Sequence, residues 1–166
     1  AEFKQLTNPR GYSPVIGMAA RFATEKGVEV LLDALPRVLE KYPQAQVQFA
    51  GAYQNIIGEQ EYFARLYPRI EKYQQNGNWA FLGNLAPDEM ARFYPNLDVL
   101  VLPSLNSTEA FGLVQIEAMI NGTPSIASNL PGVRQPVKMH EMGKVVPIGD
   151  SAGLAEALLE VLTNKQ

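Results

Sequence analysis

The chain has 166 residues, and its 14 Lys or Arg residues against 17 Asp or Glu residues give a formal charge of -3. This length predicts one domain, and the mild acidity excludes a bulk electrostatic attraction to nucleic acid or to anionic membranes. The chain has no Cys and one His. That composition excludes disulfide scaffolds, thiolate metal sites, cysteine nucleophiles and a multi-histidine metal site.

Apolar and helical segments alternate along the chain. Residues 1–12 are polar, contain Pro9 and Gly11, and predict a linker, so residues 13–166 form the domain. Short apolar runs predict six strands, at residues 14–20, 47–51, 79–82, 97–102, 125–127 and 145–146. Helical patterns fill the intervals, at residues 28–42, 59–75, 112–121 and 152–162 and from Pro87 onward. Pro36 predicts a kink or an early end of the first helix, and Pro68 a break in the second.

The predicted strands are continuous apolar runs without alternation of apolar and polar residues. This pattern is typical of a parallel sheet covered by helices on both faces. We therefore expect an α/β fold: a doubly wound, Rossmann-like parallel sheet of about six strands in a single domain. Such sheets bind ligands at the carboxyl ends of their strands. The residues of interest are therefore 21–27, 51–58, 83–87, 103–112 and 128–132.

The loop after the first strand carries two cations, Arg21 and Lys26. A diphosphate suits this pair, because Arg can fork onto two oxygens while Lys acts as a compact point charge. The competing interpretation is a solvated loop in which Lys26 pairs with Glu25, since charged loop residues are usually just solvated. Spacing alone leaves both interpretations open.

Two carboxylates, Glu109 and Glu117, flank the start of the fourth predicted helix at Gly112. Free amides at a helix start attract phosphate, and glycine removes the Cβ that would block close approach of a ligand. The two carboxylates can then bind hydroxyls on either side of that phosphate, one on a sugar and the other on a ribose. Two Glu residues at this spacing also occur by chance. The pair is a candidate site because it follows the most apolar predicted strand.

Several familiar site motifs are absent from the sequence. The chain has no Gly-x-Gly-x-x-Gly after a strand, no Gly-Lys-Ser/Thr loop, no Asp-x-Asp pair and no Gly-x-Ser-x-Gly elbow. These absences argue against a nicotinamide dehydrogenase, a P-loop NTPase, a divalent-metal site of that type and a serine hydrolase. His140 is interpreted as an ordinary loop residue, and Trp79 as a residue that starts a strand and packs.

The ordered set of motifs resembles the C-terminal, donor-binding domain of glycosyltransferase family 4, from about Ser13 to the end of the chain. Those enzymes have the two-Rossmann GT-B fold. The stretches that carry the resemblance are Gly17-Met18-Ala19-Ala20-Arg21, Glu25-Lys26-Gly27, residues 98–104, residues 109–113 with Glu117-Ala118-Met119, residues 122–127, and Pro147-Ile148-Gly149-Asp150. Glu109 and Glu117 match the Glu-x7-Glu motif of the family.

The resemblance implies a nucleotide-diphosphosugar donor and anomer-retaining transfer, without a cofactor or a bound metal. By that analogy Arg21 and Lys26 hold the diphosphate and act in catalysis together with Glu109, which would bind donor-sugar hydroxyls. The other donor contacts implied are the amides of Phe111, Gly112 and Leu113, the Glu117 carboxylate on the ribose, and the backbone near Leu85 on the base.

Two departures from the family pattern bear on function. The family often has Gly-Gly followed by Pro-Glu after the fifth strand, near the donor sugar, whereas this chain has Leu130-Pro131-Gly132-Val133-Arg134-Gln135. No segment corresponds to the family's N-terminal acceptor domain, so we expect a donor half that is inactive alone.

The whole enzyme would act in glycan or polysaccharide biosynthesis, in the cytoplasm or peripherally at the inner membrane face. The alternatives are a stand-alone nucleotide-sugar binding or regulatory module, and a structural Rossmann domain with a degenerate site. A nucleic-acid partner is not expected.

Overall fold

The computed structural model describes residues 14–108 and 112–164. Strands and helices alternate through these residues. The strands are β1 (Val15–Ala19), β2 (Gln46–Ala50), β3 (Trp79–Gly83), β4 (Val99–Leu102), β5 (Ser125–Ser128) and β6 (Gly143–Val146). The helices are α1 (Val28–Lys41), α2 (Gln60–Gln75), α3 (Pro87–Asn96), α4 (Leu113–Ile120), α5 (Gln135–His140) and α6 (Ser151–Asn164). The predicted linker, residues 1–12, lies outside the described residues.

The strands form one six-stranded parallel sheet in the order β3-β2-β1-β4-β5-β6. The first strand, β1, lies in the middle of the sheet. β2 and β3 follow on one side of it, and β4, β5 and β6 follow on the other side. This arrangement confirms the predicted doubly wound α/β fold. All strands end at the same edge, so the loops that follow them lie together.

Helices cover both faces of the sheet. One face packs against α1, α2 and α6 around large buried side chains such as Phe49, Leu31 and Leu158. The other face packs against α3, α4 and α5, with Phe93, Leu102 and Val137 among the buried residues. Burial of each such side chain contributes roughly 1.5–3 kcal/mol, so both layers stabilise the sheet.

The two helices that were expected to break at an internal proline continue through it. α1 extends to Lys41 past Pro36, and α2 extends to Gln75 past Pro68. The predicted early end and break were therefore wrong. Both prolines lie on the exposed face of their helix. Water can bond the carbonyl that each proline leaves without a donor, while the opposite face still packs on the sheet.

Two other elements differ from the sequence-based expectations. α5 was not predicted, and His140 is its exposed last residue rather than a loop residue. The sequence does contain a signal for this helix. Pro136 lies in its first turn, where proline is favoured. β6 begins at Gly143, earlier than predicted. Trp79 does start β3 and is buried, as expected.

Candidate functional site

The crevice of the fold opens between the ends of β1 and β4. These two strands are neighbours in the sheet, but their following loops lead to opposite sides, toward α1 and toward α4. In open α/β sheets this change of direction is where ligands bind. The loops after β1, β3, β4 and β5 therefore build the candidate site.

The loop after β1 is held against the loop after β4. It forms a short 3-10 turn, Thr24–Lys26, and then passes through Gly27 at φ +69°. A Cβ at Gly27 would lie 2.1 Å from the Pro103 carbonyl oxygen, so only glycine permits this approach. The Leu105 amide donates to the Glu25 carbonyl at 2.9 Å. The two loops thus form one unit at the crevice.

Both cations of the first motif lie on this unit. Arg21 is half-exposed, and its Nη2 donates to Glu25 Oε1 at 2.7 Å, while Lys26 is half-buried two residues after Thr24. Burial alone would raise the pKa of the Glu25 carboxyl. Hydrogen bonds from its own amide and from Arg21, with the charges of Arg21 and Lys26, outweigh burial and lower that pKa below its usual range.

The start of α2 braces the same loop from the other side. Glu59 Oε2 accepts hydrogen bonds from the amide and the hydroxyl of Thr24, at 3.0 and 2.7 Å. The Tyr62 hydroxyl donates to the Glu29 carboxylate and accepts from the Val28 amide. Sequence reasoning missed Glu59 and Tyr62, because no local pattern pairs residues 33 to 35 positions apart. These contacts fix the turn that presents Lys26.

The loop after β4 leads to the start of α4. Glu109 and Phe111, two of the predicted site residues, lie outside the described residues. Gly112 has φ +64°, and a Cβ there would lie 2.3 Å from Leu102 Cδ2. Glycine is therefore favoured at this position by the left-handed backbone and by the contact with Leu102, reasons that the sequence-based argument about ligand approach did not include. Leu113 opens α4 with an exposed side chain.

Glu117 and Leu85 line the same cavity, of about 440 Å³, between α3 and α4. The rest of the lining is mostly apolar, with Met90 and Ile120 among it. The Tyr94 hydroxyl donates to Glu117 Oε2 at 2.6 Å. Burial, then this hydrogen bond and the Glu117 charge, raise the pKa of Tyr94 well above its usual range. Tyr94 was not among the predicted site residues.

A buried polar network joins the loops after β4 and β5. Gln115, on α4, donates to the Val133 carbonyl and accepts from the Ser125 hydroxyl, each at 2.7 Å. The Ser128 hydroxyl donates to the Ser104 carbonyl at 2.7 Å. Buried hydrogen bonds of this kind fix the relative position of the parts they join.

Residues 14–108 and 112–164 contain neither a cluster of metal-binding side chains nor a helix that could span a membrane. No three acidic or His side chains come together there in a way that would hold a metal ion. No helix in those segments has the length and apolar character needed to cross a membrane.

Comparison with known proteins gives a family match and several relatives. The family described as "Glycosyl transferases group 1" matches residues 1–166. A phosphatidyl-myo-inositol mannosyltransferase of Mycobacterium leprae is 34% identical, over 94% of this chain and 39% of that protein. A D-inositol 3-phosphate glycosyltransferase of Corynebacterium urealyticum is 31% identical, over 90% of this chain and 35% of that protein. The chain thus spans under two fifths of the length of these relatives.

Solved structures share the fold. A sucrose-phosphate synthase from Thermosynechococcus elongatus is 32% identical, with a TM-score of 0.81, over 97% of this chain and 39% of that one. The Anabaena protein HepE, in complex with UDP and glucose, is 26% identical, with a TM-score of 0.80, over 99% of this chain and 43% of that one. The C-terminal domain of a Francisella tularensis group 1 glycosyl transferase is 22% identical, with a TM-score of 0.78, and shows the fold alone.

Proposed function

Because the chain belongs to the glycosyl transferases group 1 family, we propose that its crevice binds a nucleotide-diphosphosugar donor. The observation that carries this proposal is the close contact between the loops after β1 and β4. Gly27 packs on the Pro103 carbonyl, and the Leu105 amide donates to the Glu25 carbonyl. This contact holds two cations, Arg21 and Lys26, between the ends of β1 and β4, where the chain changes direction across the sheet. A diphosphate is the donor group whose charge matches them.

Arg21 and Lys26 bind the diphosphate in this proposal. The Arg21 guanidinium is already oriented by Glu25, which accepts its hydrogen bond at 2.7 Å. As the sugar leaves, negative charge develops on the diphosphate, and fixed cations stabilise that charge without reorganisation. Charge compensation by side chains is consistent with transfer that needs no metal.

The nucleoside occupies the cavity between α3 and α4. Its apolar lining suits a base, the backbone near Leu85 lies at one side, and Glu117 offers carboxylate oxygens for the two ribose hydroxyls. Tyr94 acts as a positioning residue, because its hydrogen bond fixes one oxygen of Glu117. HepE, which shares this fold over 43% of its length and was solved in complex with UDP and glucose, supports a nucleotide ligand.

The remaining features of the proposal come from the family resemblance. Transfer retains the anomeric configuration, Glu109 binds hydroxyls of the donor sugar, and the amides of Phe111, Gly112 and Leu113 line the sugar and phosphate. A second, N-terminal domain supplies the acceptor site, so this chain alone transfers nothing. The whole enzyme works in glycan or polysaccharide biosynthesis, in the cytoplasm or at the inner membrane face. The names of two relatives indicate inositol-containing acceptors in those proteins.

Calorimetric titration of the purified chain with UDP, GDP and ADP tests the proposal. We expect saturable binding to one of them. Arg21→Ala should weaken it about tenfold or more, since a charge-assisted contact contributes about 1.5–3 kcal/mol. Arg37→Ala is the matched control, because Arg37 lies on α1 and pairs with Glu156 away from the crevice. Equal losses in both variants, or no binding at millimolar nucleotide, would contradict the proposal.

Ribose and sugar contacts can be tested separately. Tyr94→Phe should weaken binding of the ribonucleotide more than binding of its 2′-deoxy analogue, because the analogue has lost one of the two hydroxyls that Glu117 would bind. Glu109→Ala should remove only the affinity that the sugar adds to the nucleoside diphosphate. Clear transfer of sugar to an acceptor by the purified chain would overturn the statement that it is inactive alone.

A further inference from the structure

Arg134 differs from the other arginines that the structure describes. Four of these contact a carboxylate at 2.6 to 3.8 Å: Arg21, Arg37, Arg69 and Arg92. A fifth, Arg65, lies over the ring of Tyr62 at 5.5 Å. For Arg134 the described residues offer only the Asn129 side-chain oxygen, which accepts from Nη1 at 3.2 Å. Its Nε is buried and has no hydrogen-bond partner among them.

The hydrogen bond from Arg134 to Asn129 lies at an exposed position, so Nε is the part of the guanidinium that is withheld from water. A buried polar group without a partner costs free energy. Trp79 Nε1 and Ser104 Oγ are also buried without a partner among the described residues, but Arg134 is the charged member of this set. A bound ion or ligand group is one explanation for such a donor. The guanidinium presents donors in a planar fork that matches carboxylate or phosphate oxygens. An oxyanion is therefore the ligand group that the donors of Arg134 fit best.

The loop that carries Arg134 is fixed at the edge of the candidate site. The Asn129 amide donates to the Val146 carbonyl at 2.8 Å, and Gln115 on α4 donates to the Val133 carbonyl at 2.7 Å. Leu130 and Val133 are buried with Leu102, at the end of β4. The cation is therefore presented by a packed loop, and its position is set before any ligand binds.

Arg134 also lies at a distinct place along the crevice. It follows β5, which is two strands from β1 in the sheet. Two strand spacings amount to roughly 10 Å. Arg21 and Lys26 stand at one end of that distance, the start of α4 lies between, and Arg134 stands at the other end.

We propose that Arg134 binds a second oxyanion of the substrate, a carboxylate or a phosphate, in addition to the diphosphate assigned to Arg21 and Lys26. The proposal rests on the proposed function, and it narrows the substrate class. Either the donor sugar carries a carboxylate, as a hexuronate does, or the acceptor carries a phosphate. Both sources offer the same chemistry to the guanidinium.

Matched ligand pairs distinguish the two sources. The donor pair is UDP-glucose and UDP-glucuronate, or GDP-mannose and GDP-mannuronate if GDP binds better than UDP. The acceptor pair is glycerol and glycerol 3-phosphate, titrated with and without the nucleoside diphosphate. Affinities are measured for the unchanged chain, Arg134→Gln and the control Arg37→Gln. NMR follows the Arg134 Nε–H signal of the unchanged chain during the same titrations, so the test does not depend on a substituted protein that folds.

The proposal predicts that the anionic member of one pair moves the Arg134 Nε–H signal. Arg134→Gln should then weaken that ligand about tenfold or more while leaving its neutral partner within about twofold. Arg37→Gln should change neither. Three results would overturn it: no anionic probe moves the signal, Arg134→Gln leaves all affinities unchanged, or it weakens the bare nucleoside diphosphate as much as the anionic ligand.

These outcomes are separable from the proposed function. If no nucleotide binds but glycerol 3-phosphate moves the Arg134 signal, the donor proposal fails and the oxyanion site stands. If nucleotides bind and neither anionic probe adds an effect at Arg134, the donor proposal stands and the oxyanion site fails.

Discussion

Two neighbouring loops leave the same edge of the sheet and differ sharply in how they are held. The loop after β1, residues 20–27, has buried Phe22, Ala23 and Gly27 and hydrogen bonds to β4's loop and to Glu59. The loop after β2, residues 51–58, becomes exposed after its first residues and has Ile57 92% exposed. Packing sets the position of the first loop, whereas solvent surrounds the tip of the second.

This difference assigns the two loops different roles. A ligand site needs charges held in place before the ligand arrives, because ordering them on binding would cost free energy. The loop after β1 meets this requirement and carries both cations. The loop after β2 carries no such charges. Glu59, which follows it directly, supports the loop after β1 by accepting two hydrogen bonds from Thr24.

The largest expected difference between the loops comes from their most apolar side chains. Phe22 is fully buried among Phe49, Tyr62, Phe63 and Phe81. Phe22→Ala should lower the free energy of unfolding by about 3–5 kcal/mol, through lost burial and a residual cavity. Ile57→Ala should change it by less than about 0.5 kcal/mol. Urea denaturation of both variants measures the contrast, and similar midpoints would contradict it.

Two glycines with positive φ give the second contrast. A Cβ at Gly27 would lie 2.1 Å from a backbone oxygen, whereas a Cβ at Gly58 would meet nothing within 4 Å. Gly58→Ala should therefore cost only the left-handed strain, about 1–2 kcal/mol. Gly27→Ala adds a steric clash of about 1–3 kcal/mol. Thermal unfolding should give the lower midpoint for Gly27→Ala, and an equal shift would show that the loops after β1 and β4 separate easily.

Removing the hydrogen bonds between Glu59 and Thr24 should lower the free energy of unfolding by a smaller amount. Glu59→Ala removes the acceptor of two hydrogen bonds from Thr24, for a loss of about 1 kcal/mol at this exposed position. We also expect faster hydrogen exchange at the Thr24 amide. Glu61→Ala is the matched control, because Glu61 is exposed in the first turn of α2, two residues beyond Glu59. Unchanged exchange at Thr24 in Glu59→Ala would contradict the bracing role.

The smallest effect concerns the Glu25 carboxyl. Its lowered pKa means that the contribution of Glu25 to stability is present above the usual Glu value of about 4.3. That contribution is lost as pH falls through the lowered pKa. Arg21→Gln should raise the pKa and change stability by less than about 1 kcal/mol, because Arg21 is half-exposed. Carbon NMR titration of the carboxyl measures the shift, and Arg69→Gln, remote from Glu25, should leave it unchanged.

The sequence predicted what local patterns encode. The apolar run at residues 97–102 predicted a buried strand, which the structure has at Val99–Leu102. Six such runs without alternation predicted a parallel sheet. The motif residues Leu85 and Glu117 were expected near one nucleoside, and they line one cavity. Their function stays a prediction until binding is measured.

Long-range partners were not predictable in the same way. The bond between Tyr94 and Glu117 joins residues on different helices, and the packing of Gly27 on Pro103 joins two loops. Hydrophobic periodicity in the sequence does not indicate such contacts, because they arise only when the sheet forms. The continuation of α1 through Pro36 also depends on tertiary structure, since the packed face of the helix outweighs one lost hydrogen bond.

The contact between the first and last helices sets the order in which a newly made chain can complete this domain. α6 packs against α1, and Lys41 donates to the Thr163 hydroxyl across 122 positions of sequence. A ribosome emits the chain from its N-terminus at roughly 5–20 residues per second. β1, β2 and α1 are therefore available many seconds before α6. Throughout that interval the apolar side of α1 that α6 will cover is open to chaperones and to other nascent chains.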